Sequence, residues 1–147
     1  MVRIIYIVLF IIISGMNSLW GQTKVNWETL ANVTYDYIQN QDQNLWYGKP
    51  NFSEEIQALD GKQIMITGYI LPSDASTNTY VLSAFPFSSC FFCGGAGPES
   101  IIELNLQKRK EKFKQDQVVT FVGTLRLNAR ELEMNYILEE AEVANTP

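Results

Sequence analysis

Cys90 and Cys93 are the chain's two cysteines, set in a loop of unusual composition: Ser88-Ser89-Cys90-Phe91-Phe92-Cys93-Gly94-Gly95-Ala96-Gly97-Pro98-Glu99-Ser100. Three chemistries use a pair at this spacing. A disulfide would close a very short loop, so it would shape the turn more than staple the fold. Two thiolates can instead grip one soft metal ion. A closed zinc site needs four ligands, and the chain has no histidine. Carboxylates such as Glu99 or Glu103, or a second subunit's cysteines, would have to complete it. Copper(I) accepts fewer and softer ligands, and Met65 or Met134 offers a thioether. The third chemistry is thiol–disulfide exchange. It favours an attacking thiol at a helix N-terminus, which Gly-Gly-Ala-Gly-Pro does not provide. Around the pair, Gly94, Gly95 and Gly97, followed by Pro98 and Glu99, permit tight wrapping of backbone around something small. Phe91 and Phe92, adjacent in an extended loop, point to opposite sides, so one of them is a candidate contact surface.

The missing histidine removes several classes outright. Ser-His-Asp and Cys-His nucleophile systems, HExxH metal sites and CxxCH haem attachment all need an imidazole. The glycines fit neither the GxGxxG spacing nor a Gly-Lys-Ser/Thr phosphate loop. A formal charge of −5 and a pI near 4.7 lack the basic footprint of a nucleic-acid binder. The basic run over 108–114 is interrupted by Glu111 and reads as a solvated loop. Nothing in the carboxylate spacing separates acid–base catalysis from ordinary surface charge, so no catalytic residue is assigned. Trp27, Trp46, Tyr47, Phe85, Phe87, Phe91 and Phe92 could build an aromatic binding wall, although core packing accounts equally well for Trp27 and Phe85.

Arg3 precedes an apolar run over 4–13, followed by Ser14, Gly15, Asn17 and Ser18. This pattern predicts a secretory signal peptide over 1–21, shorter than the roughly 20 apolar residues of a spanning helix. Loss of Arg3 with the leader takes the formal charge from −5 to −6. The mature protein is expected to be secreted or periplasmic, without a stable membrane span. Another exported or envelope protein is then a natural partner, and disulfides persist in that compartment.

The elements that must position the loop fall into two segments. Over 22–58, Trp27, Leu30, Ala31, Thr34, Tyr37 and Ile38 recur at three and four residues. They predict an amphipathic helix over 25–39, capped by Asn26. A turn-rich connection and a short turn or helix capped at Ser53 follow. Over 59–147 the period changes to two, predicting strands over 64–71, 80–85, 100–106, 118–127 and 134–143. The first is apolar on both faces, as in a strand that is central or bent between two sheets, with Gly68 as the bend. Five strands with a long bent first strand predict a mainly β, five-stranded barrel like the oligonucleotide/oligosaccharide-binding (OB) fold, preceded by an N-terminal α-helix.

The stretch Leu59-Asp60-Gly61-Lys62-Gln63-Ile64-Met65-Ile66-Thr67-Gly68-Tyr69-Ile70-Leu71-Pro72 resembles the opening of an uncharacterised family of bacterial exported proteins. In that family a Trp-x-x-Leu helix, a Leu-Asp-Gly-Lys strand and a cysteine-containing loop follow in order. Trp27 and Leu30, the quoted strand, and Cys90 with Pro98 correspond. Many members carry histidine and a proline run after the first cysteine, where this chain has Phe91-Phe92-Cys93-Gly94-Gly95. The resemblance implies an exported small barrel and no settled activity. The expected function is a non-catalytic binding module whose cysteine loop takes a partner or a soft metal such as copper or zinc. A thiol redox protein, or a scaffold with a structural disulfide, is the alternative.

Overall fold

The computed structural model describes residues 21–40, 44–71, 80–90, 94, 96–107, 112–130 and 133–144. Most of the signal peptide expected over 1–21, the turn expected over 72–79 and part of the cysteine loop, including Phe91, Phe92, Cys93 and Gly95, lie outside the described residues. Among the described residues no helix is long and apolar enough to cross a membrane.

The second half of the chain folds as its period-two pattern dictates. Strand β4 (Gln63–Leu71) buries Ile64, Ile66, Gly68 and Ile70 and leaves Gln63 and Thr67 in solvent. It is followed by β5 (Tyr80–Ser83), β6 (Ile101–Leu106), β7 (Val118–Leu127) and β8 (Tyr136–Val143). β4 pairs antiparallel with β7 from Gln63↔Thr124 to Tyr69↔Val118, and with β5 only at Tyr69, Ile70 and Leu71. β5–β6 and β7–β8 are antiparallel, whereas β6–β8 is parallel. The order β4-β5-β6-β8-β7 therefore returns to β4. The result is a closed, mainly β, five-stranded barrel of the OB type.

Gly68 marks the position where β4 is shared between two neighbours. A Cβ there would lie 2.6 Å from the Ser83 carbonyl oxygen and 2.8 Å from Leu82 Cγ. Only hydrogen lets β5 cross so close. The Asp60-Gly61 turn before β4 docks on β7, with the Asp60 carboxylate accepting the Leu127 N–H at 3.0 Å. Inside the barrel Ile64, Ile66, Leu82, Ile102, Leu104, Phe121, Leu125 and Leu138 form one core with Tyr136.

The first half departs from expectation. Asn26 does cap a helix, its side chain accepting the Thr29 N–H at 2.8 Å, but α1 is only Trp27–Leu30. From Val33 the chain is strand: β2 (Val33–Asn40) pairs antiparallel with β3 (Leu45–Phe52) in a separate two-stranded sheet. The helix expected over 25–39 is thus a single turn followed by a β-arm. Val33, Thr34, Tyr35, Tyr37 and Ile38 are β-branched or aromatic, and lose rotamer freedom against a helical turn. The three-and-four spacing of Trp27, Leu30, Ala31, Thr34, Tyr37 and Ile38 coincides with a strand alternation that the exposed tip obscures. A two-residue strand, β1 (Thr23–Lys24), runs parallel to the start of β4. As expected, Ser53 caps a short helix, α2 (Glu54–Gln57).

Leu30 and Ile56 from the two short helices are fully buried in the barrel core, and Tyr136 donates a 2.7 Å hydrogen bond to the Leu30 carbonyl. The Phe52 and Tyr136 rings meet at 5.7 Å. The base of the hairpin is thereby fixed to the barrel, while Tyr37 and Trp46, near its tip, are 75% and 65% exposed.

Candidate functional site

The cysteine loop leaves the barrel between β5 and β6. Its neck is held by the Ala84 N–H on the Ser100 carbonyl at 2.9 Å, and its outer turn by the Phe87 N–H on Asp116 Oδ1 at 2.7 Å. Two single 3₁₀ turns, Phe87–Ser89 and Pro98–Ser100, bracket it. The second begins at Pro98, whose fixed φ suits a first helical position. It is secured by Ser100, which donates from Oγ to the Gly97 carbonyl at 2.6 Å.

Cys90 is fully buried in a small apolar cluster with Leu71, Val81 and Ile101, against which Met134 packs. Met65 lies elsewhere, on β4. Gly94 has φ +74, the left-handed conformation that a glycine-rich loop makes available. Gly97 serves a different purpose. An added Cβ would collide with the Glu99 carboxylate, which folds back over it. Glu99 and Glu103 share β6 and its approach, but among the described residues no group of three metal-ligating side chains forms.

Glu99 points the loop toward the hairpin. The Tyr35 hydroxyl of β2 donates to Glu99 Oε2 at 3.1 Å and accepts from Asn135 Nδ2 at 2.8 Å. Burial, then the charge of Glu99 and this hydrogen bond, push the Tyr35 phenol well above its ordinary range. Tyr136 is pushed up too, by burial and by Glu99. Both phenols therefore remain neutral at physiological pH, so Glu99 is held by a neutral donor, and among the described residues the ion pair found lies elsewhere, between Arg126 and Glu139.

Beside this carboxylate is a cavity of about 380 Å³, lined by Trp27, Glu28 and Ala31 of the α1 turn, Ala84 and Phe85 after β5, and Ala96, Gly97, Glu99 and Ser100 of the loop. The indole is fixed by donating from Nε1 to the Thr67 carbonyl at 2.8 Å. A second concavity of about 300 Å³ lies among β1, β4, β7 and β8 and is lined by Gln22, Gln63, Gln107, Glu140 and Glu142 with a few apolar neighbours. It contains no residue of the cysteine loop.

No family model and no curated protein matches this chain. Among solved structures it is similar to a DUF3299 family protein from Pseudomonas aeruginosa PAO1, with a TM-score of 0.54 and 14% identity over 86% of this chain and 99% of that one. The likeness is one of fold.

Of the residues expected in the site, Glu99, Gly97 and the candidate wall residues Trp27 and Phe85 come together at one cavity. Cys90 faces a different, closed cluster. Trp46 lies on the hairpin and is not among the residues lining this cavity. Tyr35 and Asn135 were not anticipated as site residues, because their partners are distant in sequence. The local signal was Tyr35 at an alternate position of a Val-Thr-Tyr-Asp-Tyr run.

Proposed function

We propose that the protein is an exported, non-catalytic binding module whose ligand site is the cavity between the α1 turn and the Glu99 side of the cysteine loop. The supporting observation is Glu99 itself. The loop turns its carboxylate back over Gly97 and on to Tyr35, beside a mostly apolar cavity of a size that suits small ligands and single side chains. Amphipathic fragments titrated into the ¹⁵N-labelled protein are expected to shift the Trp27 indole N–H together with the amides of Ala31, Phe85 and Glu99. Shifts scattered over the barrel, or confined to the second concavity, would refute this site. Intact mass of the protein purified from its host tests export, through loss of the residues before Gln22.

A second reading rests on Met134 packing against the Cys90 cluster. Cys90 and Cys93 with this thioether would take one soft ion such as copper(I), in keeping with sulfur ligands. Cys90→Ser and Cys93→Ser should each abolish copper(I) uptake under reducing conditions. Retained uptake in either variant removes the metal and leaves a structural or redox pair.

A further inference from the structure

The cavity has one-signed chemistry. Its charged lining side chains are Glu28 and Glu99. The ion pair found among the described residues, Arg126 with Glu139, lies elsewhere on β7 and β8. Glu99 is held by a neutral hydroxyl, and the remaining walls are an indole, a phenyl ring, small aliphatic groups and Ser100, whose hydroxyl is engaged by the Gly97 carbonyl. A neutral apolar guest would strip water from a carboxylate and return nothing, and an anion would be repelled. A cation on an aliphatic stem meets both demands, laying hydrocarbon along Trp27, Ala31 and Phe85 and bringing its charge to Glu99. The volume would hold about a dozen water-sized groups, room enough for one long basic side chain.

The hairpin meets the cavity at Glu99, through Tyr35. Because Gln39 pairs with Trp46 and Tyr37 with Gly48, Tyr35, Tyr37 and Trp46 project from one face of the β2–β3 sheet. Tyr35 reaches Glu99 at the cavity, while Tyr37 and Trp46 continue outward in solvent. An aromatic track leading away from an anionic pocket has more area than a free small cation can cover, and it suits extended polypeptide. Resting on the binding-module reading above, we propose that the cavity receives an arginine or lysine side chain of a partner polypeptide, with Glu99 as its counter-ion and Tyr37 and Trp46 contacting the flanking residues.

The test uses the full protein with three probes: an arginine-centred pentapeptide with apolar flanks, the same peptide with citrulline as the neutral isostere, and arginine amide alone. Affinities come from titrations followed at the Trp27 indole N–H. The arginine peptide is expected to bind at least ~10-fold more tightly than the citrulline peptide, the ratio expected of a partly desolvated charge pair. Glu99→Gln should bring the arginine peptide close to the citrulline level and weaken the citrulline peptide by a much smaller factor. The pair Tyr37→Ser with Trp46→Ser should weaken the peptide several-fold and leave arginine amide unaffected. Equal binding of arginine and citrulline peptides overturns the cationic guest while the cavity remains a binding site. Arginine amide binding as tightly as the peptide overturns the polypeptide partner. If no probe shifts the lining residues while amphipathic neutral fragments do, the cation proposal fails alone. If fragments also leave them unmoved, the binding-site reading fails with it. A spectrum of each variant that superimposes on the parent away from the cavity shows that folding is not the cause.

Discussion

In β4, Ile64, Ile66 and Ile70 are sealed inside the barrel, whereas in β2, only a few tens of residues earlier, Tyr37 and Ile38 stand in solvent. Both strands are rich in residues that favour extended backbone. The difference is in partners. β4 has β7 along one edge and β1 and β5 along the other, so its inward face has a core to fill. β2 has β3 alone, and a two-stranded hairpin has no interior of its own. The hairpin is ordered at its base by Phe52 against Tyr136 and by Tyr35 between Glu99 and Asn135, and its outer half depends on strand pairing. The barrel's apolar residues are thus spent on stability, while those near the hairpin tip remain available for contact.

That contrast can be broken from its strongest side first. Phe121→Ala removes a ring that is fully buried and in edge contact with Phe113. A loss of about 3–5 kcal/mol is expected, read as a lower urea midpoint for the whole chain. Gly68→Val places atoms where the Ser83 carbonyl already lies, and backbone cannot yield as a side-chain end does. The expected cost is about 1–3 kcal/mol, with amide exchange fastest along the β4–β5 seam.

Tyr35→Phe deletes one donated and one accepted hydrogen bond and should cost about 1–2 kcal/mol. Hydrogen exchange should show the loss in β2 and β3 while β4 to β8 keep their protection. A uniform loss over both sheets would mean that hairpin and barrel unfold as one unit. The same phenol gives a pH signature. Tyr35 and Tyr136 hold their protons in the folded chain well past the ordinary value of 10, whereas the unfolded chain releases them near it. The unfolded state then binds fewer protons, so the contribution of these two groups to stability is constant below about pH 10 and falls above it. Tyr35→Phe and Tyr136→Phe should each shallow that alkaline fall in a pH series of urea melts. At the far end, Tyr37→Ser with Trp46→Ser should change stability by less than about 0.5 kcal/mol. A larger loss would show that the exposed tip carries structural weight.

The barrel could be read from the sequence because its strands state their environment locally. Alternation through Ile64, Ile66 and Ile70, and again through Val119, Phe121 and Leu125, gives the period of two, and all five expected strands are present; in β4 the second face, apolar in sequence, is only partly buried up to Tyr69. The hairpin could not be read this way. With Tyr37, Ile38, Leu45 and Trp46 exposed on both of its faces, apolar character no longer reports burial. Trp27, Leu30, Ala31, Thr34, Tyr37 and Ile38 then satisfied helical spacing by coincidence. At the site, Gly97, Pro98 and Glu99 were visible as an unusual run, and the conformational freedom of the glycines was anticipated. What Glu99 touches was not, since Tyr35 reaches it from β2 and is itself held by Asn135, just before β8, through contacts that no single sequence specifies. Cys90 drew attention by its spacing, and its fully buried setting in an apolar cluster is a property of the folded chain alone.

The parallel pairing of β6 with β8, and the pairing of β4 with β7, have a consequence for timing. A chain emerging amino-terminus first can form only an open β4-β5-β6 meander until β7 and β8 appear, and its inward isoleucines and leucines have nothing to close on. Contacts this far apart in sequence make for slow folding. The seam is thus a built-in delay, leaving the inward faces of β4, β5 and β6 open until the last strands have been made.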